Sequence, residues 1–458
     1  MMYKTKSRLF FIIIVVMIWM PIRNTLAQDQ LNQYVEVGIQ NNLVMQQKNI
    51  TLQRSLLALR EAKSWYYPSV ELLGDYMWAE GGRTFPVPVG DLLNPVYSTL
   101  NQLTQSQMFP QIENQAYQLM PQNFYDARIR ILYPVVNTDV WYNSKIKQQQ
   151  VKLSEYEIET YRQELTKDIE TAYYHFCLAT DGVAIYQSAF GLVKKNLEVN
   201  ESLLRNGKGL PANVLRAESE LEQIRSRLNE AENQVRNSRS YFNFLLNRSI
   251  SDSIVYEELP LPEDVQKRLL ATPYVDKRSE LLALGTVSHI RQLELDWDQR
   301  YMVPKINIFA NFGSQASDWQ FDSQSRYFLA GAQLSVPIFE GLRNRVKISK
   351  TRLEIDDVLS QRELAEKQFN MAANVARNNL STAIVNLNSA DKQYHSAKAY
   401  FNLIEKGYVG GINSLIEYMD ARNQLTSSEI HIKINRYRVL SAYSELKRQT
   451  AGSELTNN

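Results

Sequence analysis

The sequence predicts an α+β membrane protein: two similar halves, each giving two strands to a β-barrel shared among several copies and each carrying long helices. Three observations predict it. Landmarks recur at a fixed offset, four segments alternate apolar with polar residues, and two helical runs exceed sixty residues.

Arg130-Ile-Leu-Tyr-Pro134 opens a helical run that reaches Gly207, and Gln333-Leu-Ser-Val-Pro337 opens another that reaches Gly411. The prolines lie 337 − 134 = 203 apart and the glycines 411 − 207 = 204, so one register covers both landmarks. Pro68 and Pro304 begin alternating segments. Each half therefore reads helix, strand, strand, long helix, tight turn, helix, and such a repeat fixes architecture ahead of residue-level detail.

Boundaries follow from this order. Residues 1–27 read as a secretory signal peptide: Lys4, Lys6 and Arg8, the apolar run Leu9 to Met20, then Thr25-Leu-Ala27 before Gln28 as mature terminus. A retained anchor is the alternative, against which the apolar run is short for a span. The first repeat is 28–250, a lateral segment with Pro260, Pro262 and Pro273 is 251–275, the second repeat is 276–450, and 451–458 is a tail.

From Pro68, Val70, Leu72, Gly74, Tyr76 and Trp78 share one parity, against Ser69, Glu71, Leu73, Asp75 and Met77. Ile306, Ile308, Ala310 and Phe312 do the same against Lys305, Asn307, Phe309 and Asn311. So do Tyr125, Ala127, Ile129, Ile131 and Tyr133 against Asp126, Arg128 and Arg130, and Phe328, Ala330, Ala332, Leu334 and Val336 against Gly331, Gln333 and Ser335. Period two marks strands with unlike faces.

Such strands suit a half-buried sheet in a soluble domain or a wall between lipid and a wet lumen. Their length of about ten residues fits the wall. So do the aromatic residues at their ends, Trp65, Tyr66, Tyr67, Tyr133, Tyr301 and Phe339. Four strands cannot close a barrel, since the smallest membrane barrels have about eight. Two copies would give a filled barrel of about eight strands, and three would give about twelve with room for a pore.

The run from Val140 to Asn206 spans roughly 100 Å at 1.5 Å per residue, and Leu342 to Lys406 matches it. Shorter helices near 30–64 with 213–247, and 276–301 with 413–448, are expected to stack end to end into two further columns. The connection 80–124 carries Gly81, Gly82, Pro86, Pro88 and Pro95 and is expected as a long outer loop. After residue 27 no eighteen consecutive apolar residues occur, so no transmembrane helix is expected. A net charge of +2 without a basic block argues against nucleic acid, and the single Cys177 reads as a packed thiol.

Certain residues carry a resemblance. Pro337-Ile-Phe-Glu-Gly341, Asn41-Asn42 and Arg278-Ser-Glu280 are part of it, and so is a tip in which a glycine is followed at fixed spacings by a small polar residue, an acid, an aliphatic residue and alanine. The second tip reads Gly411, Ser414, Glu417, Met419, Ala421; the first reads Gly207, Leu210, Asn213, Leu215, Ala217, with Leu210 and Asn213 departing from the pattern. On these residues the chain resembles the TolC-like outer membrane efflux proteins, or outer membrane factors.

The resemblance implies a homotrimer: an outer-membrane barrel of four strands per chain, in outer-membrane lipid, continuing into a long periplasmic α-helical barrel. It implies docking onto a periplasmic adaptor, or membrane fusion, protein and, through it, an inner-membrane pump that supplies the energy. Gly207, Gly209, Leu215, Ala217, Gly411, Ser414, Met419 and Ala421 fall at the adaptor-docking tips. Tyr408, Asn413, Glu417, Asp420 and Asn213 fall at the periplasmic aperture, with Asn413 and Asn213 where an arginine and an aspartate would be expected.

Glu417 and Asp420 share a helix face and form a charged ring if repeated about an axis; alternatively they complement the positive end of their helix. Gly207, Gly209, Gly410 and Gly411 permit tight reversal and close approach of a partner, or simply end helices. No Walker loop or nucleophile motif is present, and His175, His289, His395 and His431 show no metal spacing, so neither catalysis nor a cofactor is expected. The expected function is an outer-membrane exit duct of a tripartite efflux or type I secretion system. The alternative is a secreted or envelope coiled-coil scaffold without a pore. A periplasmic adaptor would have one helical hairpin with compact β-domains and no membrane strands.

Overall fold

A computed structural model describes residues 23–120, 122–270 and 275–450. The basic and apolar parts of the expected signal peptide, Pro273 and the tail 451–458 lie outside the described residues.

The elements run α1 (Arg23–Asn41), α2 (Leu43–Ser64), β1 (Ser69–Met77), β2 (Thr84–Val87), α3 (Val89–Thr104), β3 (Gln115–Gln118), β4 (Phe124–Val136), α4 (Thr138–Arg205), α5 (Pro211–Leu245), α6 (Val265–Leu270), α7 (Ser279–Gln299), β5 (Lys305–Ser317), β6 (Arg326–Ser335), α8 (Arg343–Val409) and α9 (Leu415–Gln449). The chain divides into two compact units. One comprises Leu57–Gln148 and Gln292–Arg352; the other holds the remainder.

In the first unit β1, β4, β5 and β6 form an antiparallel sheet in that order, leaving β1 and β6 as its edges. Its register puts Leu72 beside Ile129, Ile129 beside Phe312, and Phe312 beside Phe328. One face is thus an apolar surface, with Val70, Leu72, Ile129, Ile308, Phe312, Phe328 and Leu334 all exposed. The other carries Glu71, Asp75, Arg128, Arg130 and Asn311. There Arg128 pairs with Asp75 at 2.9 Å and with Asp126, whose other oxygen accepts from the Tyr327 hydroxyl at 2.9 Å. Pairing within the sheet preserves the two-sided pattern because side chains alternate faces along each strand.

At the strand ends away from α2, Trp319 stacks on Tyr76 and Tyr125, with ring centroids 5.3 and 5.6 Å apart. Near the other end, Trp297 Nε1 donates to Asp139 at 2.9 Å, and Lys305 pairs with the same carboxylate.

Pro134 does not end its strand. β4 continues to Val136, with a register shift between Pro134 and Val136, and Asn137 then caps α4 by accepting from Asp139 N at 3.0 Å. The connection 80–124 is not an open loop. It folds into a two-stranded β2–β3 sheet with α3 between its strands, and the side chains of Asn94 and Asn101 hold α3 against the returning chain.

In the second unit the largest core gathers Leu31 and Tyr34 of α1, Met45 of α2, Leu165 to Cys177 of α4, Phe242 to Leu246 from the end of α5, Leu259, and Tyr437 with Leu440 of α9. Cys177 is fully buried, and burial pushes its thiol up to about 12. α4 contains a stretch long and apolar enough to cross a membrane by length and composition alone, although it has no eighteen consecutive apolar residues. Its apolar side chains build this core.

Two helix breaks order this unit. Residues near 30–64 form two helices because Asn42 interrupts them: Oδ1 accepts from Val44 N and Met45 N, and Nδ2 donates to Leu245 O at 2.9 Å. The start of α2 therefore meets the end of α5, as Asn caps dictate. Likewise Arg278 before α7 donates to Gln449 O at 3.0 Å, and Glu280 binds both Arg278 and Arg448, which hold its carboxyl down at about 2 against the cost of burial. The segment 251–270 packs against the helices. Leu259 is buried, Tyr256 donates to Asp181 at 2.6 Å, and Asp264 accepts from Tyr443 at 2.6 Å.

Candidate functional site

The residues singled out in the sequence fall at two helical hairpins of the second unit, α4–α5 and α8–α9. A cleft of about 850 Å³ is lined by residues of both, including Asn200, Lys208, Asn213, Tyr408 and Asn413.

Each turn depends on glycine. Gly207 and Gly411 have φ of +69° and +76°, where a side chain strains the backbone. Gly207 N then donates to Leu204 O, and Gly411 N to Tyr408 O, closing the helix ends. Gly209 is required for space, since a Cβ there would lie 2.7 Å from Leu204 N. Gly410 is ordinary. Gly407, not singled out in the sequence, abuts the Asn413 side chain.

Ser414 and Glu417 form a capping box. Ser414 N and Oγ donate to the Glu417 carboxylate at 2.7 and 2.9 Å, and Glu417 N donates to Ser414 Oγ at 3.3 Å. The Ser414 backbone N–H, followed by its hydroxyl, holds the Glu417 carboxyl below the usual range. Of the two sequence readings, the helix-end role of Glu417 is present in this chain. Asp420 is exposed, Asn213 and Asn413 are half-buried, and Leu215 is exposed. Ala217, Met419 and Ala421 are buried, Met419 and Ala421 in a cluster with Phe401, Leu415 and Tyr418. Met419 and Ala421 thus pack inside the α8–α9 hairpin.

Tyr408 links the hairpins. Its hydroxyl donates to Asn196 Oδ1 at 3.4 Å and accepts from Asn200 Nδ2 at 3.2 Å, and its ring stacks on Tyr418 at 4.8 Å. A second link joins Arg422 of α9 to Glu220 of α5, with Arg422 only 1% exposed. Burial lowers the Arg422 pKa despite its partner, as expected when desolvation opposes pairing. Asn196, Asn200, Glu220 and Arg422 were missed in the sequence. The four-residue spacing of Asn196 and Asn200 on one helix face was the available signal.

Among the described residues no group of three or more His, Cys, Asp or Glu side chains is placed to hold a metal. The chain thus combines a sheet with one apolar face and two long helical hairpins closed by glycine tips. The profile of the outer membrane efflux protein family matches residues 36–248 and 295–452, and the chain belongs to that family. It is similar to the alkaline protease secretion protein AprF of Pseudomonas aeruginosa, 20% identical over 343 residues that cover 70% of this chain and 69% of AprF. It is also similar to the outer membrane protein TolC of Escherichia coli, 18% identical over 349 residues and 71% of each chain. The crystal structure of VceC from Vibrio cholerae shares the fold, with a TM-score of 0.72 over 93% of this chain and 97% of that one at 14% identity. The protein is an outer-membrane exit duct of the efflux and secretion class, and its family is one of transport channels.

Proposed function

We propose that three copies pair β1 of one with β6 of the next to close a twelve-stranded barrel, and that the helices of the halves 28–250 and 276–450 act as repeats lining a periplasmic tunnel. The segment 251–270 braces the helices. One observation carries this reading: a four-stranded sheet with an apolar face ends in two unpaired edges, and backbone groups left unpaired in lipid cost several kcal/mol each.

The tips form the periplasmic aperture. Tyr408 with Asn196 and Asn200 is its latch, a set of neutral hydrogen bonds in keeping with Asn213 and Asn413. Glu417 and Asp420 give the aperture its negative charge. A periplasmic adaptor docks on the exposed parts of the tips, Leu210, Leu215, Ile412 and Ile416, around Gly207, Gly209, Gly411 and Ser414. The adaptor connects the duct to an inner-membrane pump, whose energy drives transport.

Single-channel recording in planar bilayers tests this. Cation-selective currents are expected from the wild-type protein, with a higher open probability in Tyr408→Phe and reduced selectivity in Glu417→Ala/Asp420→Ala. A well-folded trimer that inserts no channel would favour a pore-free scaffold instead.

A further inference from the structure

We infer that the insert between β1 and β4 is a self-assembled cap, in which the α3 helices of neighbouring copies pack on one another at the outer mouth of the barrel. The inference rests on the trimeric reading above. β1 runs away from α2, so the insert that follows Met77 lies at the end of the sheet opposite α2. It also springs from an edge strand, the strand to which the next copy must add.

One face of α3 is already committed. Asn94 accepts from Ile112 N at 2.8 Å and donates to Ile112 O at 2.9 Å, while Asn101 accepts from Phe109 N at 2.9 Å and donates to Phe109 O at 2.7 Å. Tyr97 packs on Phe109 with centroids 5.7 Å apart, and a Cβ on Gly90 would meet Ile112 O. Gly90, Asn94, Tyr97 and Asn101 thus fix the helix against the returning segment at Phe109 and Ile112.

Among the described residues nothing covers the opposite face. Leu92, Val96 and Leu103 are 69%, 52% and 76% exposed and, with Thr99, follow the four-three-four spacing of a coiled-coil seam. Exposed apolar stripes of this kind mark contact sites. Charge decides between a membrane surface and a second copy. Interfacial helices place Lys and Arg on their polar face to meet anionic lipid. Here α3 has no basic residue, and the only one in 80–124 is Arg83. The single charge of α3, Asp91, accepts from Asn114 Nδ2 at 3.0 Å. The stripe therefore lacks attraction to an anionic surface, and copies can approach with little mutual repulsion.

Val96→Cys in the full-length protein reads this contact directly, since the native Cys177 is buried. Mild oxidation of the intact trimer is expected to give disulfide-linked pairs, and a spin label at the same site should show broadening that is lost on dilution with unlabelled chains. Gln102→Cys, off the stripe, should do neither. Leu92→Ser/Leu103→Ser should raise single-channel conductance. A heat-labile trimer that does not cross-link through Val96→Cys, with the label open to oxygen dissolved in lipid, would assign the stripe to the membrane and overturn the cap. Absence of any heat-labile trimer would instead remove the trimeric reading and the cap with it.

Discussion

The two hairpin tips share a turn and differ in how the next helix begins. Gly207 and Gly411 supply the same left-handed residue, yet α5 starts at Pro211 behind Leu210, which offers no side-chain cap, whereas α9 starts behind the Ser414–Glu417 capping box. The turn tolerates little besides glycine. Helix initiation has two solutions, a proline that presets φ or a cap that satisfies free N–H groups. Similar geometry thus rests on unlike local energetics, and only the second tip depends on a titratable side chain.

The largest expected effect is loss of the link that ties the hairpins together. Arg422→Ala strands the Glu220 carboxylate, which is 12% exposed, and should cost about 3–5 kcal/mol in thermal unfolding. Arg422→Met with Glu220→Gln should recover most of it, since replacing both members of a buried pair is often neutral. An undiminished melting temperature in the single variant would show that the link is not structural.

Next is Gly209→Ala, which drives a Cβ into backbone and should destabilise by about 1–3 kcal/mol. Gly410→Ala meets only an ordinary contact and should fall within about 0.5 kcal/mol. Equal melting temperatures would break the distinction drawn between the two glycines.

The caps should be separable by exchange. Ser414→Ala should cost about 1 kcal/mol, and Leu210→Ser, placed where the backbone is already extended, should stabilise the first tip by a similar amount. Amide protection at each tip measures both.

At the tips the smallest effect is that of acid. The folded pKa of Glu417 is depressed, so its contribution is present above the ordinary carboxylate pKa and lost as pH falls through the folded value. Amide protection at the second tip should decline in acid while the first tip is unchanged. By the same sign, the stability supplied by Glu280 should fall from pH 4.5 down to about 2, away from both tips.

The strands and long helices were legible in the sequence because period two and uninterrupted helical spacing leave little choice. The end-to-end meeting of α2 with α5 and of α7 with α9 was also foreseen. Its chemistry lay in residues noted only as a resemblance: Asn42 and Arg278 are separated by the same 236 residues as Pro68 and Pro304. α3 was hidden because Pro88 and Pro95 read as punctuation. What offsets them is the pair of bonds each from Asn94 and Asn101, which depend on residues up to eighteen positions away. Arg422 and Glu220 looked like surface charges on a helix, and their burial depends on a partner 202 residues distant.

The unpaired edges of the sheet have a kinetic consequence. If a lone chain must carry unpaired backbone into hydrocarbon to insert, the encounter of chains has to precede or accompany entry into the bilayer. The rate of insertion should then climb more steeply than linearly with protein concentration. A cell producing few chains would accumulate unassembled protein before it gained any conducting duct.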